Sequence, residues 1–371
     1  MALTTRRAQP LTEALFKRAL TVVVVAETSS ITAAVIDSLP DEISYFLVGP
    51  QSIAFLRHSI RCREYFVNDL SLEERNKTEF VRTIQRLGVE RSNLFLIPVD
   101  DSANRIVQLT IGRLGAMCYP MPDSRTFEVL NDKWQFHQKC SEIGVRVPKA
   151  ICLKDKSEID CEYVRKKVGL PFVLKPTNKS NGLGVKIIGS EKSLSEQILS
   201  VRKYDYSPLM AQSFIAGIDI DISALVDRGY IKQFAIQTRK RDALHFVKND
   251  ELLEATKIIV RELCYTGVIH IDARLGTSGK IFLIEANPRF WGSLAEATSG
   301  GLNFVRAGIY TSVGLESPDP TTICNVSVPS TKQMLKDILT FKRSYWRLGQ
   351  LERLRLRRAA RIYMRSALHL P

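Results

Sequence analysis

Short apolar runs alternate with amphipathic segments in the first third of the chain. The β-branched run at residues 20–26 is typical of a strand buried on both faces of a parallel sheet. The same pattern predicts helices at 31–39 and 72–87 and further strands at 43–48, 64–67 and 93–98. This βαβαβ order indicates an open, mainly parallel α/β sheet, and we predict a Rossmann-like domain over residues 1–125.

The pattern changes near residue 133. A predicted helix over residues 134–143 leads into short strands and turns, which continue to about residue 288 and are followed by another helical region. We therefore predict an α+β domain over residues 126–330, with a smaller lid subdomain at 145–210. A basic helical extension is predicted at 331–371.

The turn after the first predicted strand lacks glycine. It reads Ala26-Glu27-Thr28-Ser29-Ser30, so nothing allows the backbone to close on a pyrophosphate as in dinucleotide-binding domains. We expect a scaffold role for this domain, without a nicotinamide or flavin site.

Composition bounds the class of protein. The 371 residues, 45% hydrophobic and 25% charged, fit two or three globular domains. Seven scattered cysteines form no CxxC pair, which argues against a zinc site or a disulfide framework. No long apolar segment follows the basic residues near the start, so we expect a cytoplasmic protein.

Positive charge is concentrated at the end of the chain. Residues 332–371 contain eleven Lys and Arg residues against Asp337 and Glu352, within a formal net charge of +14 for the whole chain. Such a tail can contact a membrane surface or an acidic carrier protein, or it can be a solvated helix. The sequence does not favour nucleic acid as a partner, and it leaves a homodimer open.

Two predicted strands at 267–274 and 281–287 flank the turn Gly276–Gly279 and must pair antiparallel. A two-residue loop places Asp272 opposite Glu285, and a four-residue loop places it opposite Leu283. Either register puts Asp272, Glu285 and Asn287 on one face, with Ile271, Phe282 and Ile284 expected on the buried face.

Two neighbouring carboxylates repel each other unless a positive charge lies between them. Magnesium prefers oxygen ligands and commonly combines one or two carboxylates with substrate phosphates. Asp272, Glu285 and Asn287 therefore form a candidate magnesium site, and Arg289 follows where a guanidinium can hold an acyl phosphate or a carboxylate. The alternative is a surface hairpin with chance acidic residues.

A second candidate element is Lys175 followed by the loop that contains Gly182 and Gly184. The glycines permit close approach of the backbone to phosphate oxygens, and the lysine supplies a fixed positive charge. A tight hairpin is the alternative. Between this loop and the acidic hairpin, an apolar run with one amide, Gln212, suits an adenine edge, and Asp219 suits ribose hydroxyls.

These three elements, in this order and spacing, resemble the ATP-grasp superfamily, which includes biotin carboxylase, the carbamoyl-phosphate synthetase large chain and D-alanine–D-alanine ligase. The resemblance covers residues 131–314. It implies an ATP-grasp fold preceded by a Rossmann-like domain, with ATP and Mg²⁺ as cofactors and Mn²⁺ able to substitute.

The resemblance also implies roles for individual residues. Lys133 and Lys175 match nucleotide-binding basic residues, and Gly182 and Gly184 match the phosphate-covering loop. The adenine hinge matches Gln212, Phe214 and Ile215, and Asp219 matches the ribose-binding acid. The metal ligands match Asp272, Glu285 and Asn287. Catalytic roles fall to Arg289, Lys175 and Arg241. Gln212 departs from the glutamate common at the hinge, and Asp272 is one methylene shorter than the glutamate of some relatives.

The implied activity is that of a carboxylate–amine ligase. A carboxylate is activated as an acyl phosphate and joined to an amine or a similar nucleophile, and ADP and phosphate are released. The alternatives are an ATP-grasp phosphotransferase and a non-catalytic nucleotide-binding protein. Fold-level resemblance does not choose the acid or the amine.

Overall fold

The computed structural model describes residues 20–90, 93–180, 182–240 and 243–329. The chain divides into two compact units. The first comprises the residues up to Ser124, Arg289–Ile323 and the residues from Val328, and the second comprises Arg125–Pro288 and Cys324–Ser327. Arg241 and the predicted basic extension at 331–371 lie outside the described residues.

The first unit contains a five-stranded sheet in the order β3-β2-β1-β4-β5, and each pair of neighbouring strands is parallel. The predicted parallel α/β sheet is thereby confirmed. Its strands are β1 (Thr21–Val25), β2 (Tyr45–Gly49), β3 (Cys62–Val67), β4 (Leu94–Pro98) and β5 (Met117–Cys118).

Helices α1 (Ser29–Ser38), α2 (Glu74–Glu90) and α3 (Asp101–Thr110) connect these strands, with a 3-10 helix at Gln51–His58. The apolar residues of α2 recur at helical spacing and lie in one core with side chains of β1, β2, β4 and α3. The members of α2 in this core are Phe80, Val81, Ile84 and Leu87.

The turn between β1 and α1 is closed by a carboxylate. Asp100 is buried, and its Oδ2 accepts hydrogen bonds from the backbone N–H groups of Glu27 and Thr28 at 2.7 and 2.6 Å. Its Oδ1 accepts from the N–H of Ala103 at 3.1 Å, which caps α3. An internal carboxylate thus takes up N–H groups near the start of a helix, where an anion would otherwise bind.

The second unit begins with α4 (Ser124–Asn131) and α5 (Lys133–Glu142). A small antiparallel sheet follows, in the order β6-β9-β7-β8. Its strands are β6 (Ala150–Leu153), β7 (Phe172–Pro176), β8 (Lys186–Ile188) and β9 (Leu209–Ser213). Helices α6 (Cys161–Val168) and α7 (Glu191–Leu194), the latter continuing as a π-helical turn at Ser195–Leu199, contribute to its core.

A larger sheet forms the rest of this unit, and five of its strands pair antiparallel in the order β14-β13-β10-β11-β12. These are β10 (Gly217–Asp227), β11 (Tyr230–Lys240), β12 (Ala243–Val247), β13 (Gly267–Gly276) and β14 (Ile281–Asn287). Helices α5 and α8 (Asp250–Glu262) pack against this sheet in a common core. Because one face is covered by helices, the other is left for polar side chains.

The chain then re-enters the first unit through α9 (Leu294–Ser299) and α10 (Phe304–Ser312), and short strands β15 (Thr322–Ile323) and β16 (Val326–Pro329) follow. Asn303 caps α10 and donates to the Ser38 carbonyl at 2.7 Å, so this segment packs against α1. Among the described residues, no helix combines the length and the apolarity needed to span a bilayer.

Candidate active site

The loop between β13 and β14 differs from both sequence-based alternatives. The N–H of Gly276 donates to the carbonyl of Lys280 at 2.9 Å, so residues 277–279 form a three-residue loop. Ala273 then pairs with Leu283. A three-residue loop alone would have put Asp272 opposite Ile284, with its side chain on the same face as a hydrophobic residue.

A β-bulge restores the acidic pairing. The register shifts by one residue between Asp272 and Ala273, which leaves Ile284 as the extra residue and places Asp272 opposite Glu285. The predicted pairing of Asp272 with Glu285 is therefore observed, although neither predicted loop length produces it.

The bulge also changes the buried face of β14. Phe282 and Ile284, expected on the buried face, are only half-buried. Ile281, Leu283 and Ala286 lie in the core instead. The expectation was wrong because strict alternation along β14 breaks at the bulge.

Three carboxylates form a row across three strands, which we call the acidic row. Asp221 of β10 pairs with Asp272 of β13, which pairs with Glu285 of β14. Side chains of directly paired residues lie on the same face of an antiparallel sheet. Asp221, which the sequence analysis did not select, thus joins the two carboxylates that it did.

A second row lies two residues along the same strands. It consists of Ser223, His270 and Asn287, which pair in that order. The Ser223 hydroxyl is 2.9 Å from Nδ1 of His270, and the Nε2 of His270 is 3.4 Å from Oδ1 of Asp272. On the other side, Nδ2 of Asn287 donates to Oδ2 of Asp272 at 3.1 Å. Asp272 is therefore contacted through both of its oxygens.

The two neighbouring aspartates have opposite pKa shifts. Burial raises the pKa of Asp221 to about 7, with His270 opposing the shift and the Asp272 charge adding to it. Burial also disfavours ionisation of Asp272, but His270, the hydrogen bond with Asp221 and the charge of Lys175 hold its pKa below the usual value. Like charges this close cannot both ionise freely, so the pKa of Asp221 is raised while that of Asp272 is lowered.

Two lysines face the Glu285 end of the acidic row. Lys133 begins α5, whose N-cap Asp132 accepts from two backbone N–H groups of the first turn. Its ammonium lies 3.4 Å from Oε2 of Glu285 and donates to the Lys179 carbonyl. The Lys175 ammonium lies 3.5 Å from the carbonyl of the bulged residue Ile284.

The Lys175 side chain is almost fully buried, at 3% exposure. Burial lowers its pKa to about 8, with Glu285 and Asp272 opposing the shift and Lys133 adding to it. The Lys175 ammonium lies among two carboxylates and a second ammonium, so its position is fixed. A phosphate can approach this buried charge without displacing much water.

The donor set fits magnesium. Asp272 and Glu285 supply carboxylate oxygens, and Asn287 has an amide oxygen, all on one side of one hairpin. These are the ligands that Mg²⁺ prefers, and the nearby lysines suit the phosphates that commonly complete its coordination. The amide of Asn287 donates through Nδ2 here, and a metal ligand would use its Oδ1.

The predicted glycine loop connects β7 with β8, with residue 181 outside the described residues. Gly182 and Gly184 both have positive φ, at +69° and +77°. A Cβ on Gly184 would lie 2.8 Å from the rings of Pro176 and Tyr206, whereas one on Gly182 would meet no atom within 4 Å. Packing thus requires glycine at 184, and at 182 only the backbone conformation favours it.

Of the predicted hinge residues, Gln212 lies in β9, and Phe214 and Ile215 follow it. Gln212 is buried between Ala150 and Val173 on neighbouring strands. The N–H of Phe214 donates to the Pro171 carbonyl at 3.2 Å.

Arg274 contacts residues of the predicted hinge and residues that follow it. The guanidinium of Arg274 lies 5.6 Å from the ring centroid of Phe214 and donates to the Ile215 and Gly217 carbonyls at 3.1 and 2.8 Å. It also binds Oδ1 of Asp219 at 2.7 Å. The Asp219 side chain is 75% exposed, so a ligand can reach a carboxylate whose position is held by Arg274.

The predicted catalytic arginines are placed differently. Arg289 belongs to the first unit, where it is buried and its Nε donates to Oδ1 of Asp101 at 3.1 Å. Its Nη1 donates to the Phe290 carbonyl at 2.8 Å. Arg241 lies outside the described residues, and its neighbour Arg239 is exposed near the end of β11.

Sequence reasoning missed Asp221, Ser223 and Arg274 as parts of the site. The alternation Asp219-Ile-Asp221-Ile-Ser223 was a visible signal for a strand with one polar face. What the pattern could not supply was the partner strand, because β10 pairs with β13, which follows it only after β11, β12 and α8.

Comparisons with known proteins agree with this arrangement. A family model described as an ATP-grasp in the biosynthetic pathway with Ter operon matches residues 205–333. The D-alanine–D-alanine ligase of Neisseria meningitidis is 24% identical over 177 residues, which are 42% of this chain and 56% of that enzyme. The chain thus spans about half the length of the curated relatives that it matches first.

Solved structures match over more of the chain. The N5-carboxyaminoimidazole synthetase of Staphylococcus aureus aligns with a TM-score of 0.65 at 12% identity, covering 87% of this chain and 86% of that one. The biotin carboxylase domain of the Hydrogenobacter thermophilus 2-oxoglutarate carboxylase, in complex with MgADP, ADP and bicarbonate, aligns with a TM-score of 0.60. It is 17% identical and covers 80% of this chain and 70% of that one. The predicted fold, a parallel α/β sheet followed by antiparallel sheets in this arrangement, is confirmed.

Proposed function

Since the chain belongs to the ATP-grasp superfamily, we propose that it is an MgATP-dependent ligase that joins a carboxylate to an amine. One observation carries the proposal. Two carboxylates and an amide, Asp272, Glu285 and Asn287, lie on adjacent strands opposite the ammonium groups of Lys133 and Lys175. Metal ligands beside fixed positive charges are what phosphoryl transfer requires of a protein.

The proposed reaction has two steps. An oxygen of the substrate carboxylate attacks the γ-phosphorus of ATP, and the bond to the β–γ bridging oxygen breaks, which releases ADP. The amine then attacks the acyl carbon of the acyl phosphate, the carbon–oxygen bond to phosphate breaks, and the amine loses a proton. Neither step needs a protein nucleophile, so positioning and charge carry the catalysis.

Each residue then has a defined part in binding. Asp272, Glu285 and Asn287 would hold a magnesium ion, which when bound neutralises phosphate charge. Lys133 and Lys175 would bind the phosphates directly.

The remaining candidate residues would surround the nucleotide and the reacting acid. The backbone N–H groups near Gly182 and Gly184 would cover the phosphates. Gln212, Phe214 and Ile215 would border the adenine, and Asp219 would accept from the ribose hydroxyls. Arg289 and Arg241 would bind the acid or its acyl phosphate.

A phosphate-release screen with MgATP and paired carboxylic acids and amines tests the proposal. ADP and free phosphate that form only when both an acid and an amine are present support a ligase. Phosphate transferred to a single hydroxyl substrate would establish a phosphotransferase instead. Nucleotide binding without turnover in a broad screen would leave only a binding protein.

Glu285→Gln tests the site itself. The substitution keeps the side-chain size but removes a metal-binding charge, so turnover should fall by about 10²-fold or more. Glu254→Gln is the matched control, because Glu254 is exposed on α8 and pairs only with Lys257 of the same helix among the described contacts. Near-normal turnover in Glu285→Gln would contradict the metal assignment.

A further inference from the structure

Two tyrosines from the segment before β9 contact the glycine loop at Gly184. The hydroxyl of Tyr204 donates a hydrogen bond to the Gly184 carbonyl at 2.8 Å. The ring of Tyr206 lies so close to Gly184 that an added Cβ would come within 2.8 Å of it. Neither tyrosine belongs to the nucleotide-binding, metal-binding or catalytic residues of the proposed reaction.

The ring of Tyr204 is fixed by packing. The residue is 4% exposed and lies in the core of the small sheet, which also contains Leu174, Ile188 and Leu209. Its ring meets the Tyr206 ring edge-on, with the ring centroids 4.9 Å apart. Because the hydroxyl lies in the plane of a packed ring, the core also fixes the position of the hydroxyl, and a buried tyrosine hydroxyl needs a partner.

The Tyr204 hydroxyl remains a donor over the pH range in which the nearby lysines titrate. Burial raises the pKa of Tyr204 to about 12, and Tyr206 adds to the rise. Only the protonated phenol can donate to a carbonyl. The bond to Gly184 therefore persists at pH values where Lys175, with its pKa lowered to about 8, loses its proton.

The bond to Tyr204 fixes the orientation of one peptide group in the loop. The carbonyl of Gly184 and the N–H of Val185 belong to the same planar unit. That N–H donates to the Gly182 carbonyl at 3.2 Å and closes a β-turn over residues 182–185. Gly184 is the third residue of this turn and has a φ of +77°, a conformation that favours glycine there. Tyr204 thus holds the turn that contains both glycines.

The other arm of the loop is held by a group of a different kind. The Lys133 ammonium donates to the Lys179 carbonyl and lies 3.4 Å from Oε2 of Glu285. A bound phosphate offers this ammonium a charged acceptor, which forms a stronger hydrogen bond than a neutral carbonyl does. The Lys133 contact can therefore change when nucleotide binds, whereas the Tyr204 contact joins two neutral groups that a phosphate does not attract away.

From these contacts we infer that Tyr204 is a positioning residue for the glycine loop. Its hydroxyl sets the turn at residues 182–185 in the place from which backbone N–H groups bind phosphate. The inference rests on the proposed function in that this loop covers the phosphates of ATP. It adds that one hydroxyl in the core of the small sheet controls how much the loop contributes to phosphate binding.

Tyr204→Phe in the full chain tests the inference, because the substitution removes the hydroxyl and keeps the packed ring. Calorimetric titration compares ADP in the presence of Mg²⁺ with adenosine, which has no phosphate. Loss of the hydrogen bond should weaken ADP binding by about threefold to tenfold. Adenosine affinity should stay unchanged, and this difference between the two ligands is what a loss of general stability would not produce.

Hydrogen exchange supplies a second measurement that needs no nucleotide. In Tyr204→Phe, the Val185 amide should exchange about threefold to tenfold faster, because the turn that protects it opens more often. The Ser213 amide donates to the Lys149 carbonyl at 2.8 Å in the same small sheet and serves as the internal reference. Its exchange rate should not change.

Two variants in the same segment are controls. Tyr206→Phe removes a hydroxyl that has no hydrogen bond to any residue in the described part of the chain, so both affinities should equal those of the wild type. Ser207→Ala removes a hydroxyl that donates to the Lys154 carbonyl at 2.8 Å, away from the loop. It should lower the melting temperature slightly and leave ADP affinity unchanged.

The outcomes separate this inference from the proposed ligase activity. Equal weakening of adenosine and ADP in Tyr204→Phe, or unchanged ADP affinity and Val185 exchange, overturns the positioning role. An equal loss of ADP affinity in Ser207→Ala overturns it as well, because general stability would then explain the effect. In these cases, phosphate release in the acid–amine screen still supports the ligase.

The converse result is also distinguishable. A phosphate-dependent loss in Tyr204→Phe, in a chain that never turns over ATP, leaves the positioning role standing and removes the ligase. Failure of the wild type to bind ADP overturns both.

Discussion

Both units contain carboxylates that are buried or half-buried, at a strand end in the first unit and on a sheet face in the second. The groups that surround these carboxylates differ between the two units. In the first unit, Asp100 accepts hydrogen bonds from Glu27 and Thr28 through one oxygen and from Ala103 through the other. In the second unit, Asp221, Asp272 and Glu285 lie side by side across three strands, and their polar partners include each other, His270, Asn287 and Lys133.

The difference separates a structural carboxylate from a binding carboxylate. Backbone donors contact both oxygens of Asp100, and they oppose the rise in its pKa that burial causes. The acidic row brings three carboxylates together in a partly buried place, where Lys133, Lys175 and His270 offset their repulsion. This difference between the two kinds of carboxylate is why we propose the nucleotide site in the second unit, although the first unit has the Rossmann-like sheet.

Among the variants that test this comparison, Asp272→Asn should have the largest effect, which is a loss of ATP turnover. Loss of the central charge of the acidic row should lower ATP turnover by about 10²–10³-fold. The apoprotein should melt somewhat lower than the wild type, because the lowered pKa of Asp272 means that the fold favours its ionised side chain. Phosphate release and thermal melting measure the two effects, and a large drop in melting temperature would mean that Asp272 is structural.

Asp100→Ala should show the opposite combination. Three backbone N–H groups lose their acceptor, so the free energy of unfolding should fall by about 2 kcal/mol. The affinity for MgADP should stay close to that of the wild type, since the proposed nucleotide residues lie in the second unit. Denaturant unfolding and calorimetric titration with MgADP check both parts. A loss of ADP affinity at full stability would place nucleotide in the first unit.

The pH dependence of nucleotide affinity should report Lys175, whose pKa is lowered to about 8. Affinity for ADP should fall as pH rises through about 8, by up to about tenfold, because the phosphates lose a positive partner. An unfolded lysine keeps its proton to about 10.4, so this residue makes folding stability rise with pH between the two values. Lys175→Arg should flatten the affinity profile, and an unchanged slope in that variant would assign the titration to another group.

Gly184→Ala should have the smallest effect of the series. The new Cβ would press on Pro176 and Tyr206 and would sit at a positive φ, so the loop should shift and ADP should bind about threefold to tenfold more weakly. Gly182→Ala has the same backbone strain but open space around the new methyl group, so it should lose less. Equal losses in the two variants would show that backbone strain alone controls the loop.

The fold followed closely from local patterns. The valine-rich run became β1, buried on both faces, and predicted helix and strand positions in the first unit agree with the structure to within a few residues at most ends. These signals are local, because burial on two faces or one stripe of a helix is set by residues close in sequence. The order of the strands within each sheet could not be predicted from these local patterns.

The acidic hairpin shows where local reasoning stops. Side chains alternate between the two faces of a strand, so Asp272, Glu285 and Asn287 could be predicted to share a face of the β13–β14 hairpin. The structure places them there. The loop length and the bulge at Ile284 were not readable, because several loops close a hairpin of this length at similar cost. With the bulge, Ile281, Leu283 and Ala286 lie in the core while Asp272 pairs with Glu285.

By itself, the sequence determined the residue types of the site: paired acids with an amide, two lysines and a glycine loop. Each of these could be recognised from residues within a few positions of one another. Only the tertiary structure decided that Asp221 and Ser223 belong to the same face as Asp272 and that Arg274 contacts the hinge. It also decided that Arg289 pairs with Asp101. The physical reason is that side chains within one hairpin meet through the two-residue period of a strand. Side chains from β10 and β13 meet because these strands pair in the folded sheet, although β11, β12 and α8 lie between them in the sequence.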